Sequence, residues 1–313
     1  MAALGSVVAS IAIVVTGGIV RVTGSGLGCT DWPLCTGETL APTAEMGMHG
    51  AIEFGNRLLT GVLCAVVGWV IITARLQKVP APAALRGGWA QFWVVVLNAL
   101  VGGVTVWMRL SPYIVAAHFL AATLLLTTAV YTWHAASAEP GAGSGTEGAA
   151  AGSAALRVPA RCRSLSAALV AVTAVLVVVG TLATGTGPHA GDSSDVHRMP
   201  LNWTVVTALH GLLATTVLVL AWSLLRALPA GSAARRKTAV FLGVLLAQGG
   251  VGLAQSLTGL PSLVVVLHLL GSALVWVGVL QVHLTVKKSA VARTPEPADR
   301  DALPGARTEA ARL

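Results

Sequence analysis

VVTGGIVRVTGSG, residues 14–26, is an apolar run interrupted by one arginine and closed by glycine turns. Spanning ~30 Å of hydrocarbon takes roughly 20 apolar residues. This stretch closes the first of eight such runs, at about 2–20, 50–74, 89–108, 113–134, 165–184, 203–225, 239–257 and 262–285. A related ending, VVVGTLATGTG (177–187), closes the fifth run in the equivalent place. SPYIVAAHFLAATLLL (111–126) opens the fourth run and LPSLVVVLHLLGSALVW (260–276) opens the eighth, each with a histidine six or seven residues after a proline. Two four-helix units of the same orientation read as a duplication about a pseudo-two-fold axis along the membrane normal. The expected fold is an all-α polytopic membrane protein, its eight transmembrane helices forming two pseudo-symmetric four-helix bundles. The expected division is an N-terminal half (1–134), a cytoplasmic linker (135–164), a C-terminal half (165–285) and a disordered cytoplasmic tail (286–313).

Composition agrees. The 313 residues are 55% hydrophobic and 10% charged, with a mean hydropathy of +0.79, whereas soluble domains carry about 25% charged residues. The +8 net charge does not imply nucleic acid. Sixteen of the twenty lysines and arginines lie between runs two and three, four and five, six and seven, or after run eight. The positive-inside rule puts those segments and both termini in the cytoplasm of a cell-membrane protein. The first run lacks a basic leader and a small-residue cleavage site, so it reads as a span. The absence of basic residues ahead of it points to a missing N-terminal segment.

Ionisable groups inside spans are costly and mark function. His134 and His283 sit at cytoplasmic span ends, where a snorkelling side chain suffices. His189 and His197 lie in the outer loop GPHAGDSSDVHRMP (187–200) with Asp192 and Asp195; a solvated loop and a weak metal site are both open. His118, His210 and His268 lie on runs four, six and eight, five to seven residues below the outer end, or roughly 10 Å deep. Imidazoles projecting from facing helices of a bundle are how a membrane protein holds haem iron. Zinc is the rival metal, and its catalytic sites usually add a carboxylate or thiolate. Small neighbours such as Gly211, Gly271 and Ala121 suit a flat apolar macrocycle. Run two contributes HGAIEFGNRLLTG (49–61), with His49, Glu53 and Asn56 on one helical face and Arg57 four residues after Glu53. A structural ion pair and a carboxylate facing a substrate cavity are both open readings.

GGIVRVTGSGLGCTDWPLC (17–35), then IEFGNR (52–57), then single histidines opening runs four, six and eight, together resemble the haem A synthase family over about residues 5–285. The resemblance implies eight spans and oxidation of the ring methyl of haem O to a formyl group, for terminal oxidases. Two successive oxidations would give an aldehyde hydrate that loses water. It further implies that His210 and His268 ligate a haem b, that His118 serves the substrate haem O, and that Glu53 is the essential carboxylate, positioning water or moving protons. Cys29 and Cys35 match an outer-face pair that can form a disulfide. The family motif ends in His-Arg where this chain has Asn56 and Arg57, which leaves the substrate iron with His118 alone or with the distant His49.

The loop between Cys29 and Cys35 lies outside the cytoplasm, where disulfides persist. It reads either as a structural staple or as a redox-responsive lid with Trp32 on the porphyrin edge. Arg21 and Arg57 are candidate propionate partners. Cys64, within run two, and Cys162, in a basic cytoplasmic loop, are not placed to join that pair. Expected partners are membrane lipid, haem O and the haem O synthase that supplies it; nucleic acid is not expected, a homo-oligomer is open and the electron acceptor is not encoded. The alternatives are a non-catalytic dihaem b-type cytochrome, which needs paired histidines in both halves, and a haem-binding transporter, which needs no Glu53.

Overall fold

Residues 1–137, 158–189, 191–192 and 196–291 are described by a computed structural model. They form α1 (Ala2–Val22), α2 (Gly47–Arg75, preceded by a 3-10 turn at Ala44–Met46), α3 (Pro82–Trp107), α4 (Pro112–Ala136), α5 (Ala160–Thr186), α6 (Trp203–Ala227), α7 (Ala233–Leu257) and α8 (Ser262–Val291). Each is long and apolar enough to cross a membrane. Hydrocarbon offers no partner for a free backbone group, so only elements that satisfy their own hydrogen bonds can span it. Among the described residues the sole bridge between extended segments pairs Ser25 with Asp192.

Local signals set the helix ends. Pro82 and Pro112 stand in the first turns of α3 and α4, where a missing N–H costs nothing. Asn202 and Ser232 cap α6 and α7, each side chain accepting a backbone N–H at 3.1 Å. The turns after α3 and α7 are copies of one another. Leu110 N–H donates to Thr105 O and Leu260 N–H to Gln255 O, both at 2.8 Å. The residue before each leucine is left-handed, Arg109 at φ 46° and Gly259 at φ 75°, as this helix-ending motif requires.

Several helices outrun their apolar stretches. α5 begins at Ala160, so Arg161, Cys162 and Arg163 lie on its first turn and not in a loop; Cys162 is buried, its thiol directed at Ala227 O (3.6 Å). α7 takes in Arg235, Arg236 and Lys237, and Arg235 Nη1 donates to Leu225 O and Leu228 O at 2.9 and 3.0 Å. Helix propensity does not stop at the hydrocarbon edge, and long basic side chains reach water from the flanking turns. α8 likewise continues past the expected start of the tail to Val291. Most of the expected linker (138–157) and of the expected tail (292–313) lies outside the described residues.

Within residues 2–136 the helices pack in the ring α1–α2–α3–α4–α1, and within 160–291 in the ring α5–α6–α7–α8–α5; diagonal helices do not pack against one another. The two rings meet through α1–α8, α4–α5 and α4–α8, a set that maps onto itself when α1 to α4 exchange with α5 to α8. Trp276 Nε1–H of α8 donates to Thr127 Oγ1 of α4 at 2.9 Å. The largest buried apolar cluster, including Val130, Leu169, Val217, Phe241 and Val279, draws on α1 and α4 to α8 and lies mostly toward the helix ends remote from the three central histidines.

Candidate functional site

Away from that core the second ring opens. α6 has no buried residue before Val217, α7 none after Leu245 and α8 none before Ala273. From the diagonal helices α6 and α8, His210 and His268 approach one another, their ring centroids 6.4 Å apart and their planes at 56°. An imidazole nitrogen lies about 2 Å from a bound metal, so two rings sharing one metal have centroids roughly 6 Å apart. The pair has the spacing of two axial ligands. No group of three or more His, Cys, Asp or Glu that could hold a metal occurs among the described residues.

Second contacts aim these rings. Gln248 of α7 lies 3.0 Å from His268 Nδ1 and donates to His268 O at 2.8 Å. His210 Nδ1 is buried without a hydrogen-bond partner among the described residues, and the Leu176 carbonyl of α5 lies near the ring. His118, of α4, lies against Gly102 of α3. Such outer partners are the usual means of orienting an imidazole ligand. Neither Gln248 nor the glycines under the rings was among the residues expected from sequence. The nearest sequence trace is a repeated spacing, Asn98 four residues before Gly102 in α3 and Gln248 four residues before Gly252 in α7.

In the first ring, α2 and α4 are the diagonal pair. His118 projects from α4, while Asn56 of α2 accepts a 2.8 Å hydrogen bond from Thr16 Oγ1 of α1 at its Oδ1. Three residues earlier, Glu53 is 6% exposed. Its Oε1 pairs with Arg57 Nη2 at 2.6 Å and its Oε2 accepts the Cys29 N–H at 2.7 Å. Arg57 Nη1 donates to Asp31 O and Leu34 O at 3.0 and 2.9 Å. The pair thus grips the loop from both ends, and that loop is closed by a Cys29–Cys35 disulfide. Gly28 lets the loop lie on α2, because a Cβ there would collide with the His49 carbonyl. His49 is exposed, its Nδ1 2.9 Å from Ser25 Oγ. Trp32 packs edge-on against Trp107 at 5.6 Å. Its described neighbours are the end of α3.

The loops at the histidine end of the helices cross-tie the rings. Arg21 Nε donates to His189 O and its Nη2 to Thr184 O, at 2.9 and 3.0 Å; Gly26 N–H donates to Gly191 O at 2.7 Å. His189 Nε2 lies 2.9 Å from Leu260 O, so His189 knits loops together. Arg198, within electrostatic reach of Arg21, has a buried Nη2 with no hydrogen-bond partner among the described residues. Arg21 and Arg57, the expected propionate partners, each bond backbone carbonyls, and Arg198 Nη2 has no hydrogen-bond partner among the described residues.

Comparison with known proteins adds the following. A family model described as COX15-CtaA, cytochrome oxidase assembly protein, matches residues 1–280. A haem A synthase of Rhizorhabdus wittichii is 28% identical over 331 residues, covering 85% of this chain and 89% of its own. That of Alkalihalophilus pseudofirmus is 33% identical over 132 residues, 39% of this chain and 44% of its own. That of Geobacillus thermodenitrificans is 28% identical over 114 residues, 36% and 35%. In the latter two the match spans less than half of the relative's length.

Proposed function

The chain belongs to the COX15-CtaA family of cytochrome oxidase assembly proteins, and on that premise we propose that it is a haem A synthase, oxidising the ring methyl of haem O to a formyl group in the cell membrane. The facing pair His210 and His268, 6.4 Å apart across the open half of the second ring, carries this reading. These two residues would hold a resident haem b, which would supply one-electron transfer when bound. His118 serves the iron of the substrate haem O. Asn56 stands where the repeat places His210, and its amide is not an ordinary iron ligand.

The remaining residues have separable duties. Glu53 holds the disulfide loop over the first ring, and each of its oxygens keeps a lone pair beyond the bond already made. That capacity would let it position water or accept a proton beside a bound haem O, whose methyl group takes up the oxygens of two waters and releases four protons and four electrons, the electrons to an acceptor outside this chain, on the way to an aldehyde hydrate that loses water. Arg198 offers its unpartnered Nη2 to a propionate. The placement of the basic residues puts both termini in the cytoplasm and the disulfide loop outside, and a haem O synthase in the same membrane is the expected supplier.

The test is expression in a host that makes haem O, followed by extraction and chromatography of the protein-bound haems. Haem A, or its hydroxylated precursor, alongside haem b is the expected outcome. Haem b alone, with haem O unchanged, would overturn the assignment in favour of an electron-carrying cytochrome.

A further inference from the structure

Each of the three imidazoles rests on bare backbone. His118 of α4 lies on Gly102 of α3, His210 of α6 on Gly180 of α5, and His268 of α8 on Gly252 of α7. A Cβ at any of these glycines would stand 3.2 Å from the imidazole Cε1, inside the ~3.5–4.0 Å at which carbon atoms attract. It would also stand 3.4 Å from His118 Nε2, 3.5 Å from His210 Nδ1 or 3.6 Å from His268 Nδ1. One methyl group would therefore push or twist the ring.

The coincidence is selective. A Cβ on Gly249 or Gly250, on the same helix as Gly252, would meet nothing within 4 Å, and the same holds for Gly17 of α1. α1 is the helix beside Asn56, the repeat position without a histidine, and there the contact is a hydrogen bond from Thr16. A glycine backed against an imidazole thus occurs on the helix before each of the three histidines, whereas on α1 the closely approached glycine, Gly18, meets Leu269 of α8 and Asn56 is met by Thr16. In the second ring each imidazole has a polar neighbour one turn before the glycine, Gln248 at His268 Nδ1 and the Leu176 carbonyl near the His210 ring. In the first ring the matching side chain, Asn98, donates to Val94 O and Ala121 O instead, so His118 is held chiefly by its glycine.

We propose that Gly102, Gly180 and Gly252 are positioning residues whose bare backbone fixes the plane of each imidazole. Gly180 and Gly252 set the geometry of the ligand pair for the resident haem, and Gly102 sets that of the ligand for the substrate. The division of labour between the rings rests on the assignment above, whereas the contact between glycine and imidazole does not.

The experiment compares G180A, G252A, G102A and the control G249A, each as full-length protein purified in detergent with its own haem. Readouts are the low-spin electron paramagnetic resonance signal, haem retention on dialysis, and kcat and KM for haem O. G180A and G252A are expected to shift the resonance signal and to weaken haem retention about 10-fold or more, the scale on which outer contacts to metal ligands act. G102A is expected to leave that signal unchanged and to lower kcat/KM for haem O. G249A is expected to match wild type throughout. A signal unaltered in both G180A and G252A, or altered equally by G249A, overturns the proposal. Failure of all three seat variants to accumulate, while G249A accumulates, overturns it in favour of a purely structural contact. Wild type that binds haem yet leaves haem O unchanged removes the synthase reading, and the comparison of G252A with G249A still decides the seats.

Discussion

Glu53 spends one carboxylate oxygen on Arg57 and the other on the Cys29 amide, so a single side chain joins α2 to the loop above the first ring. Glu53→Gln keeps the shape and removes the charge. It should retain bound haem b while haem A production falls by about 100-fold or more, the scale of a lost proton-transfer group; chromatography of extracted haems reads both. Arg198→Ala removes a charge-assisted donor worth about 1.5–3 kcal/mol, so haem should dissociate roughly 10- to 100-fold more readily in competition with apomyoglobin. His118, His210, His268 and Glu53 were legible in the sequence because a polar group in an apolar run must be accounted for. Gln248, Arg198 and the seat glycines were not. In a chain with 35 glycines, nothing local distinguishes Gly252, under a ring, from Gly249, which faces open space.

The element that best shows how one helix serves two ends is α7. Its first half packs Phe241 and Leu242 into the core, and its second half, from residue 246, carries no buried residue. The turns after α3 and α7 offer a test of the repeat. Arg109 holds the left-handed position that Gly259 fills in the second half, and that conformation costs a side chain about 1–2 kcal/mol. After the greater chain freedom of glycine is deducted, Arg109→Gly should stabilise the protein by roughly 0.5–1 kcal/mol, visible as a higher melting temperature in detergent. The outer loop has its own stability. Replacing Cys29 and Cys35 by serine should loosen residues 29–35 by about 2 kcal/mol on the chain-entropy account. Faster hydrogen exchange confined to that loop would report it, with the signal of the haem at His210 and His268 unchanged.

At the scale of the molecule, the two rings are joined by buried helix faces and by backbone ties between outer loops, with Arg21 reaching across to His189 O and Thr184 O. A chain cut within residues 138–157 should therefore reassemble. The two fragments, co-expressed, are expected to co-purify and to retain haem, whereas Arg21→Ala in the cut protein should weaken their association, measured by pull-down of one tagged fragment. Failure of the intact-sequence fragments to co-purify would show that the covalent connection, and not the interface, holds the rings together.

The sequence by itself determined the number of long apolar helices, the internal repeat and the position of each of the three histidines along its helix, because each rests on a spacing read along the chain: apolar run length, a repeated motif and the count of residues from the helix end. It also carried the chemistry of the polar groups, since burial in hydrocarbon makes every one of them conspicuous. Only the tertiary structure decided that His210 and His268 face one another, that Arg57 grips the disulfide loop together with Glu53, and that Arg21 ties the rings while Arg198 holds a donor free. Those are relations between helices and loops far apart in the chain. They depend on the rotation of each helix about its own axis, which packing against neighbours selects and which a nearly uniform apolar surface does not encode.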